Sequence, residues 1–171
     1  LPYRPGSYTA SNVVDGQAIY ESQVSLWSSI LARGNMIFHA LGWLEGGLTC
    51  SFEKMIIDAE MLQQFCEFLR PIDVGEDELG FDAIHEVGPG GHYFGAAHTL
   101  ARYEHAFYEP LVSDRSSYEE WQSKGSQTTT VRAHEIWKQL LDEYQVPDLA
   151  PAIVESITEY VERRSRERSR A

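Results

Sequence analysis

The chain of 171 residues carries 14 Lys and Arg against 26 Asp and Glu, so its net charge is −12. Such an acidic chain repels phosphate backbones, which argues against nucleic acid as a partner. Its 43% hydrophobic and 12% aromatic residues are typical of a folded chain, and we predict a single folded region over residues 1–171. No apolar run is long enough for a membrane span.

Turn-forming residues dominate positions 1–16, where a short extended piece and a loop are predicted. From Gln17 apolar residues recur at helical spacing, and Gly34 is expected to cap the end of this helix. The apolar run Met36–Phe38 follows at once and is typical of a buried strand. This alternation favours part of an α/β fold over a purely helical domain. The predicted apolar face of the helix comprises Tyr20, Val24, Trp27 and Leu31.

The rest of the chain is predicted to be mostly helical. A helix that begins after a Thr49 or Ser51 cap continues to Pro71, and a shorter acidic helix follows within residues 73–86. After the glycine-rich loop 88–95, a helix is expected to extend as far as Pro110. Three further helices are predicted around residues 117–122, 133–144 and 153–161.

The last nine residues, 163–171, contain five Arg and one Glu. Positive charge suits a helix C-terminus, so they are predicted to form a frayed, solvated helix end rather than a functional basic patch. Two cysteines, Cys50 and Cys66, lie about 24 Å apart along a predicted helix, which is beyond disulfide reach. Free thiols and the absence of a visible secretory signal predict a cytoplasmic location.

His39 is the first candidate for chemistry. It ends the apolar run and opens a glycine-rich loop that also contains Glu45. Active sites of α/β folds form from the loops that follow the carboxyl ends of strands, so both are candidate catalytic residues. A structural role explains the same pattern more simply, with His39 bonded to the backbone and Glu45 solvated.

His92 is the second candidate, in the sequence GPGGHYFG at 88–95. Glycines let backbone amides approach a ligand closely, and the helix that follows offers its N-terminus to an anion. The loop lacks the Lys-Ser/Thr pair of a P-loop, so nucleotide binding is not predicted. A tight structural turn remains the simpler explanation.

A metal site is not predicted. Four histidines occur between positions 85 and 105, but no HExxH or CxxC spacing accompanies them. The sequence therefore does not favour a zinc hydrolase.

Four blocks of sequence carry a resemblance to a known family. They are EGGLTCSFEKMIIDAEML at 45–62, HEVGPGGHYFGAAHTLARYEHAFYEP at 85–110, DRSSYEEW at 114–121 and HEIWKQLL at 134–141. In this order and spacing they make the chain resemble the C-terminal part of the trimethylamine methyltransferase family, nearly from end to end. The resemblance implies an α/β fold. The chain would be the last third or so of a TIM (β/α)₈ barrel, predominantly helical in this portion.

The resemblance also implies an activity. Members of the family are corrinoid-dependent methyltransferases, which move a methyl group from a methylamine to the cobalt of a partner corrinoid protein. Some use pyrrolysine near where this chain begins. None appears here, and the loop SYTASNVVDGQ departs from the usual form. Relatives without pyrrolysine act on quaternary amines such as glycine betaine. We therefore expect such a substrate, a corrinoid carried by a partner protein, no directly bound metal and a homo-oligomer.

Site residues follow from the same resemblance, because aromatic faces suit a quaternary ammonium. His39 would face the substrate or the corrinoid, with Glu45 as a second catalytic residue. The loop residues Gly90 and Gly91 would bind the corrinoid. The substrate-binding candidates are Tyr8, Phe38, Trp43, His92, Tyr93 and Phe94.

A competing hypothesis is a non-catalytic helical interaction module. It predicts scattered histidines and a large exposed apolar surface. The methyltransferase hypothesis predicts instead that His39, Glu45 and His92 converge at one end of a barrel. On either hypothesis, this stretch of chain is expected to be inactive alone.

Overall fold

The computed structural model describes the backbone of residues 3–169 and the side chains of residues 6–169. This part of the chain is predominantly helical with few strands, and it divides into two compact units, one up to Lys138 and the other from Gln139 onwards. Strands β1 to β4 span Tyr3–Pro5, Met36–Phe38, Trp43–Leu44 and Thr49–Cys50, with a 3₁₀ turn at Glu45–Gly47. Helices α1 to α8 span Gly16–Leu31, Phe52–Phe68, Glu76–Leu79, Phe81–Val87, Ala97–Leu100, Tyr118–Ser123, Thr129–Asp142 and Pro151–Arg168.

The first three elements form a β–α–β unit. Strands β1 and β2 pair in parallel, with Arg4 opposite Ile37, and α1 connects them. The helix begins where the Asp15 carboxylate accepts a hydrogen bond of 3.0 Å from the Ala18 amide. Because parallel strands end at the same edge of a sheet, the loops that follow β1 and β2 lie side by side. The strand predicted at 36–38 is confirmed, but it is not buried as predicted, because Met36 and Phe38 are exposed in this stretch of chain.

Helix α1 ends differently from the sequence prediction. Arg33, not Gly34, adopts the left-handed conformation, with φ at 54°. Its amide donates to the Ile30 carbonyl, and the Gly34 amide donates to the Ser29 carbonyl over 3.1 Å. These two bonds form a Schellman motif, in which Gly34 occupies the position after the left-handed residue.

The buried face of α1 also differs from the prediction. Tyr20, Val24 and Leu31 are exposed, the last by 74%, and only Trp27 of the predicted face packs into the core. The buried positions lie on the opposite face of α1 and are Ala18, Ser22, Leu26 and Ser29. Because three of these residues are small, α1 can lie close to its neighbours.

Two apolar clusters hold residues 6–138 together, and both involve α2. One contains Leu26, Met61 and Phe65, with the Trp27 ring edge-on to Phe65 at 4.7 Å. The other joins Ile56 of α2 to Val112 and to Ala133 of α7. Partly buried apolar side chains pack against it, namely Ile57, Ile136 and Trp137. The Ser51 cap of α2 is confirmed by its bond from the Lys54 amide.

The segment between α2 and α6 is more broken than the sequence predicts. The acidic helix divides into α3 and α4 at Gly80, where φ is 64°. The helix predicted to reach Pro110 covers only Ala97–Leu100, and turns follow. Phe107, which was to continue the apolar face, is 78% exposed. Without packing along that face a helix of this length has little to stabilise it.

Helices α6, α7 and α8 agree with the prediction in position. Ser117 caps α6 by accepting from the Glu120 amide, and Pro151 occupies the first turn of α8. The arginine-rich segment belongs to α8, which is helical to Arg168 and exposed throughout. None of the described helices combines the length and the hydropathy that a membrane crossing demands.

Candidate functional site

Three side chains near the carboxyl ends of β1 and β2 meet around one imidazole, that of His39. Tyr8 lies in the loop after β1, Phe38 is the last residue of β2, and Trp43 is the first residue of β3. The Tyr8 hydroxyl and His39 Nδ1 share a hydrogen bond of 3.0 Å. The indole of Trp43 lies edge-on to the His39 ring, with 5.3 Å between centroids. Phe38 is adjacent, its ring centroid 6.3 Å from that of His39. Tyr8 and Trp43 are half-buried, whereas His39 is exposed, so the group is open to solvent on one side. We call Tyr8, Phe38, His39 and Trp43 the strand-end cluster.

The backbone at the cluster is unusual. His39 has φ at 54°, a conformation in which a non-glycine residue is strained. Its carbonyl accepts a hydrogen bond of 3.1 Å from the Ser7 amide, which joins the two loops. The loops approach so closely at Gly6 that a Cβ there would lie 2.8 Å from the Ala40 Cα. Any side chain at position 6 would therefore separate the two loops.

Glu45 lies in the same loop system but is not part of the ring contacts. Its φ is 52°, its amide donates to the Ser11 carbonyl, and its carboxylate accepts from the Thr49 hydroxyl over 2.9 Å. Two residues later, a Cβ on Gly47 would lie 3.0 Å from the Tyr8 ring. The turn that contains Glu45 therefore packs against Tyr8, and the Glu45 side chain itself is exposed.

A fully buried ion pair is hydrogen-bonded to the residues that precede Tyr8 and Trp43. Lys54 and Asp58, one turn apart on α2, are 0% exposed and 2.7 Å apart. Lys54 Nζ also donates to Ser7 and Ser22, and Asp58 Oδ2 accepts from the Ser7 hydroxyl at 3.0 Å and the Gly42 amide at 2.8 Å. Burial raises the pKa of the Asp58 carboxyl, while its bonds from Lys54, Gly42 and Ser7 oppose the rise. We call these five residues the buried network.

A second anchor fixes the β1 loop to α1. The Glu21 carboxylate accepts from the Thr9 hydroxyl at 2.6 Å and from the Ala10 amide at 2.8 Å. These bonds, with one from Gln17, hold the pKa of Glu21 below its ordinary value. The loop that carries Tyr8 is thus bonded at both its start and its end.

The glycine-rich loop 88–95 is exposed over most of its length. The ring centroids of His92 and Phe94 are 5.6 Å apart, and Phe94 is 84% exposed. Gly90 has φ at 79°, and a Cβ on Gly91 would lie 2.7 Å from Val87, so the turn itself requires both glycines. Tyr93 is also exposed.

The two groups of predicted site residues lie in different segments of the chain. Among the described side chains, the hydrogen bonds and ring contacts of Tyr8, His39 and Trp43 involve none of His92, Tyr93 and Phe94. A common site for the two groups therefore stays a prediction. The residues 3–169 also contain no group of three or more His, Cys, Asp or Glu that could hold a metal ion.

Sequence reasoning missed the buried network. Lys54 and Asp58 are charged residues at spacing i, i+4, which usually marks a solvated helix face. A signal was present, since helical spacing places both on the same face of α2 as the apolar residues Met61 and Phe65. Ser7 and Ser22, the small polar partners, have no pattern that identifies them.

The sequence profile of the family described as Trimethylamine methyltransferase (MTTB) matches residues 1–169. A glycine betaine methyltransferase of Desulfitobacterium hafniense is 36% identical over 162 residues, which cover 95% of this chain and 34% of that protein.

Two further relatives carry the name trimethylamine methyltransferase MttB. One, also from Desulfitobacterium hafniense, is 32% identical over 92% of this chain and 32% of its own length. The other, from Methanosarcina thermophila, is 28% identical over 89% of this chain and 31% of its own length. The chain thus spans about a third of the length of these relatives.

Proposed function

Because the chain belongs to the trimethylamine methyltransferase family, we propose that it is part of an enzyme that removes a methyl group from a small methylated amine. We propose further that the methyl acceptor is a corrinoid carried by a partner protein. When bound, this corrinoid would supply a reduced cobalt, which is a strong nucleophile towards methyl groups. Glycine betaine is the proposed donor.

The fold proposed for the complete enzyme is a TIM barrel. The parallel β1–α1–β2 unit has the connectivity of a barrel segment, and the strand-end cluster follows the carboxyl ends of its two strands. Large apolar side chains on the helices, such as Val24 (66%) and Phe68 (71%), are exposed in this stretch of chain. In the proposed barrel they would pack against neighbouring elements.

The strand-end cluster is the observation that carries the proposal. A quaternary ammonium is attracted to aromatic faces, and the phenol of Tyr8, the indole of Trp43 and the ring of Phe38 surround His39. The strongly negative chain favours a cationic substrate over an anionic one. Methylated amines and betaines present such a cation.

His39 is suited to the carboxylate of a betaine. If the Tyr8 hydroxyl donates to Nδ1, the neutral imidazole carries its proton on Nε2. No described residue bonds Nε2, and the ring is exposed. We assign His39 the role of donating this hydrogen bond to the donor's carboxylate, which orients the N-methyl groups towards the open side of the cluster.

The reaction itself asks little acid–base chemistry of the protein. The C–N bond breaks, its electron pair stays on nitrogen, and the methyl carbon forms a bond to the acceptor. A quaternary donor then leaves as a neutral tertiary amine and needs no proton. The proposed work of these residues is to hold the cation in line with the acceptor and to exclude water. Glu45, His92 and the glycines at 90 and 91 remain candidates for contacts with the substrate or the corrinoid.

Methylation of Co(I) cobalamin by the complete gene product tests the proposal. Glycine betaine, other betaines, trimethylamine and dimethylamine would be compared under anaerobic reducing conditions, with the spectrum of methylcobalamin as the readout. We expect turnover with glycine betaine and less with the tertiary and secondary amines. No turnover with any of these donors would contradict the proposal and favour the non-catalytic interaction module.

A further inference from the structure

Asp58 contacts both loops of the strand-end cluster through a single oxygen atom. Oδ2 accepts from the Ser7 hydroxyl at 3.0 Å and from the Gly42 amide at 2.8 Å. Ser7 immediately precedes Tyr8, and Gly42 immediately precedes Trp43. These are the two residues whose side chains contact the His39 ring by a hydrogen bond and by an edge-on indole.

Lys54 compensates the charge of this carboxylate. Its Nζ lies 2.9 and 2.7 Å from the two Asp58 oxygens, and it donates to Ser22 of α1 at 2.8 Å. Both side chains are 0% exposed. A buried ion pair is poor evidence for stability, because replacement of such a pair by apolar residues of similar size often leaves the stability of a protein unchanged or raises it. The network therefore calls for another explanation, and its bonds to both loops supply one.

We propose that Asp58 is a positioning residue, neutralised by Lys54, which fixes Tyr8 and Trp43 against His39 by holding the hydroxyl of Ser7 and the amide of Gly42, the residues that precede them. For its effect on catalysis this inference rests on the proposed function. The positions of the loops themselves can be measured without it. A displacement of about 1 Å in such a site can reduce a rate about 100-fold.

A pair of double variants isolates the acceptor atom. In Lys54→Met/Asp58→Asn the charges are removed, but the amide oxygen can still accept from Gly42 and Ser7. In Lys54→Met/Asp58→Leu the branching at Cγ is the same and methyl groups replace the oxygen and nitrogen. A control, Glu120→Gln/Lys124→Met, neutralises an exposed i, i+4 pair elsewhere.

Hydrogen exchange of the complete gene product is the first measurement. In the Leu variant we expect amide exchange in segments 6–11 and 39–44 to rise about tenfold, with α7 unchanged. The Asn variant and the control should resemble the unaltered protein. Equal exchange in the Leu and Asn variants would overturn the inference. If the Leu variant does not fold, Ser7→Ala replaces it. Exchange should then rise in 6–11 alone, and no rise there would also overturn the inference.

Methyl transfer is the second measurement. We expect kcat/KM to fall about 100-fold in the Leu variant and less than about fivefold in the Asn variant, with similar melting temperatures. Equal rates in the two variants would overturn the inference. If the unaltered protein transfers no methyl group, the proposed function fails, and the exchange measurement alone decides the role of Asp58.

Discussion

Tyr8 and His39, which are 31 positions apart in the sequence, share a hydrogen bond of 3.0 Å between the phenol oxygen and Nδ1. The bond joins the loop after β1 to the loop after β2, at the edge where two parallel strands end. It fixes the orientation of the imidazole and, when the phenol donates, places the imidazole proton on Nε2.

Removal of this bond should reduce turnover more than binding. In Tyr8→Phe the ring that faces the cation is kept, but the tautomer of His39 is no longer fixed. We expect kcat to fall about tenfold, the cost of a hydrogen bond of about 1 kcal/mol or somewhat more, with KM for the donor nearly unchanged. Steady-state kinetics check this, with Tyr20→Phe on the exposed side of α1 as the control. An unchanged kcat would remove the assigned role of the phenol.

The backbone of His39 allows its chemistry to be separated from its conformation. Asn tolerates the left-handed region, whereas a β-branched residue is strained there by about 1–2 kcal/mol. We expect His39→Asn to fold with an unchanged melting temperature and to lose at least about 90% of its methyl transfer. His39→Val should in addition lower the melting temperature. Equal melting temperatures for the two variants would show that the backbone at this position is not strained.

Trp43 should determine affinity for the cation. Replacement by Leu removes the aromatic face, which contributes about 0.5–2 kcal/mol to cation binding, so KM for a quaternary donor should rise about 2- to 30-fold. The KM of Trp43→Phe should lie between those of the unaltered protein and Trp43→Leu. The same Leu substitution at Trp121 serves as the control for loss of an indole. A KM that responds equally to both substitutions would contradict a cation site at Trp43.

The hydrogen bonds of Glu53 should make the stability of the fold depend on pH. Its carboxylate accepts from His134 Nδ1 at 2.8 Å, Trp137 Nε1 at 2.9 Å and Ser51, and these bonds lower its pKa from 4.5 to about 2. Because the pKa in the folded protein is below its ordinary value, the stabilisation is complete above pH 4.5 and is lost as the pH falls towards 2.

Melting temperatures measured between pH 6 and pH 2 test this dependence. Glu53→Gln should reduce stability at pH 6 and flatten the decline below pH 4.5, because no carboxylate is left to protonate there. Exposed Glu143→Gln is the control. Parallel curves for Glu53→Gln and the unaltered protein would mean that other carboxylates dominate the acid transition.

Much of the fold follows from the sequence where signals are local. The Ser51 cap at the start of α2, the apolar run at 36–38 and Pro151 at the start of α8 each define an element by short-range chemistry. The end of α1 is harder to predict from the sequence, because the left-handed conformation of Arg33 is stabilised by the hydrogen bonds around it and not by the intrinsic preference of arginine.

The candidate site was predictable in part for the same reason. His39 stands out because it follows a strand, and the aromatic residues near it are visible in the sequence. Its contact with Tyr8 depends on the parallel pairing of β1 and β2, which no local pattern specifies. The burial of Lys54 and Asp58 likewise depends on Ser7 and Ser22, small residues that are brought together only by the fold.

A structure of the complete gene product with glycine betaine bound tests the central claim most directly. The account predicts the trimethylammonium group among the rings of Tyr8, Phe38 and Trp43, with the carboxylate within hydrogen-bond distance of His39 Nε2. Betaine bound elsewhere, with the strand-end cluster empty at a saturating concentration, would contradict it.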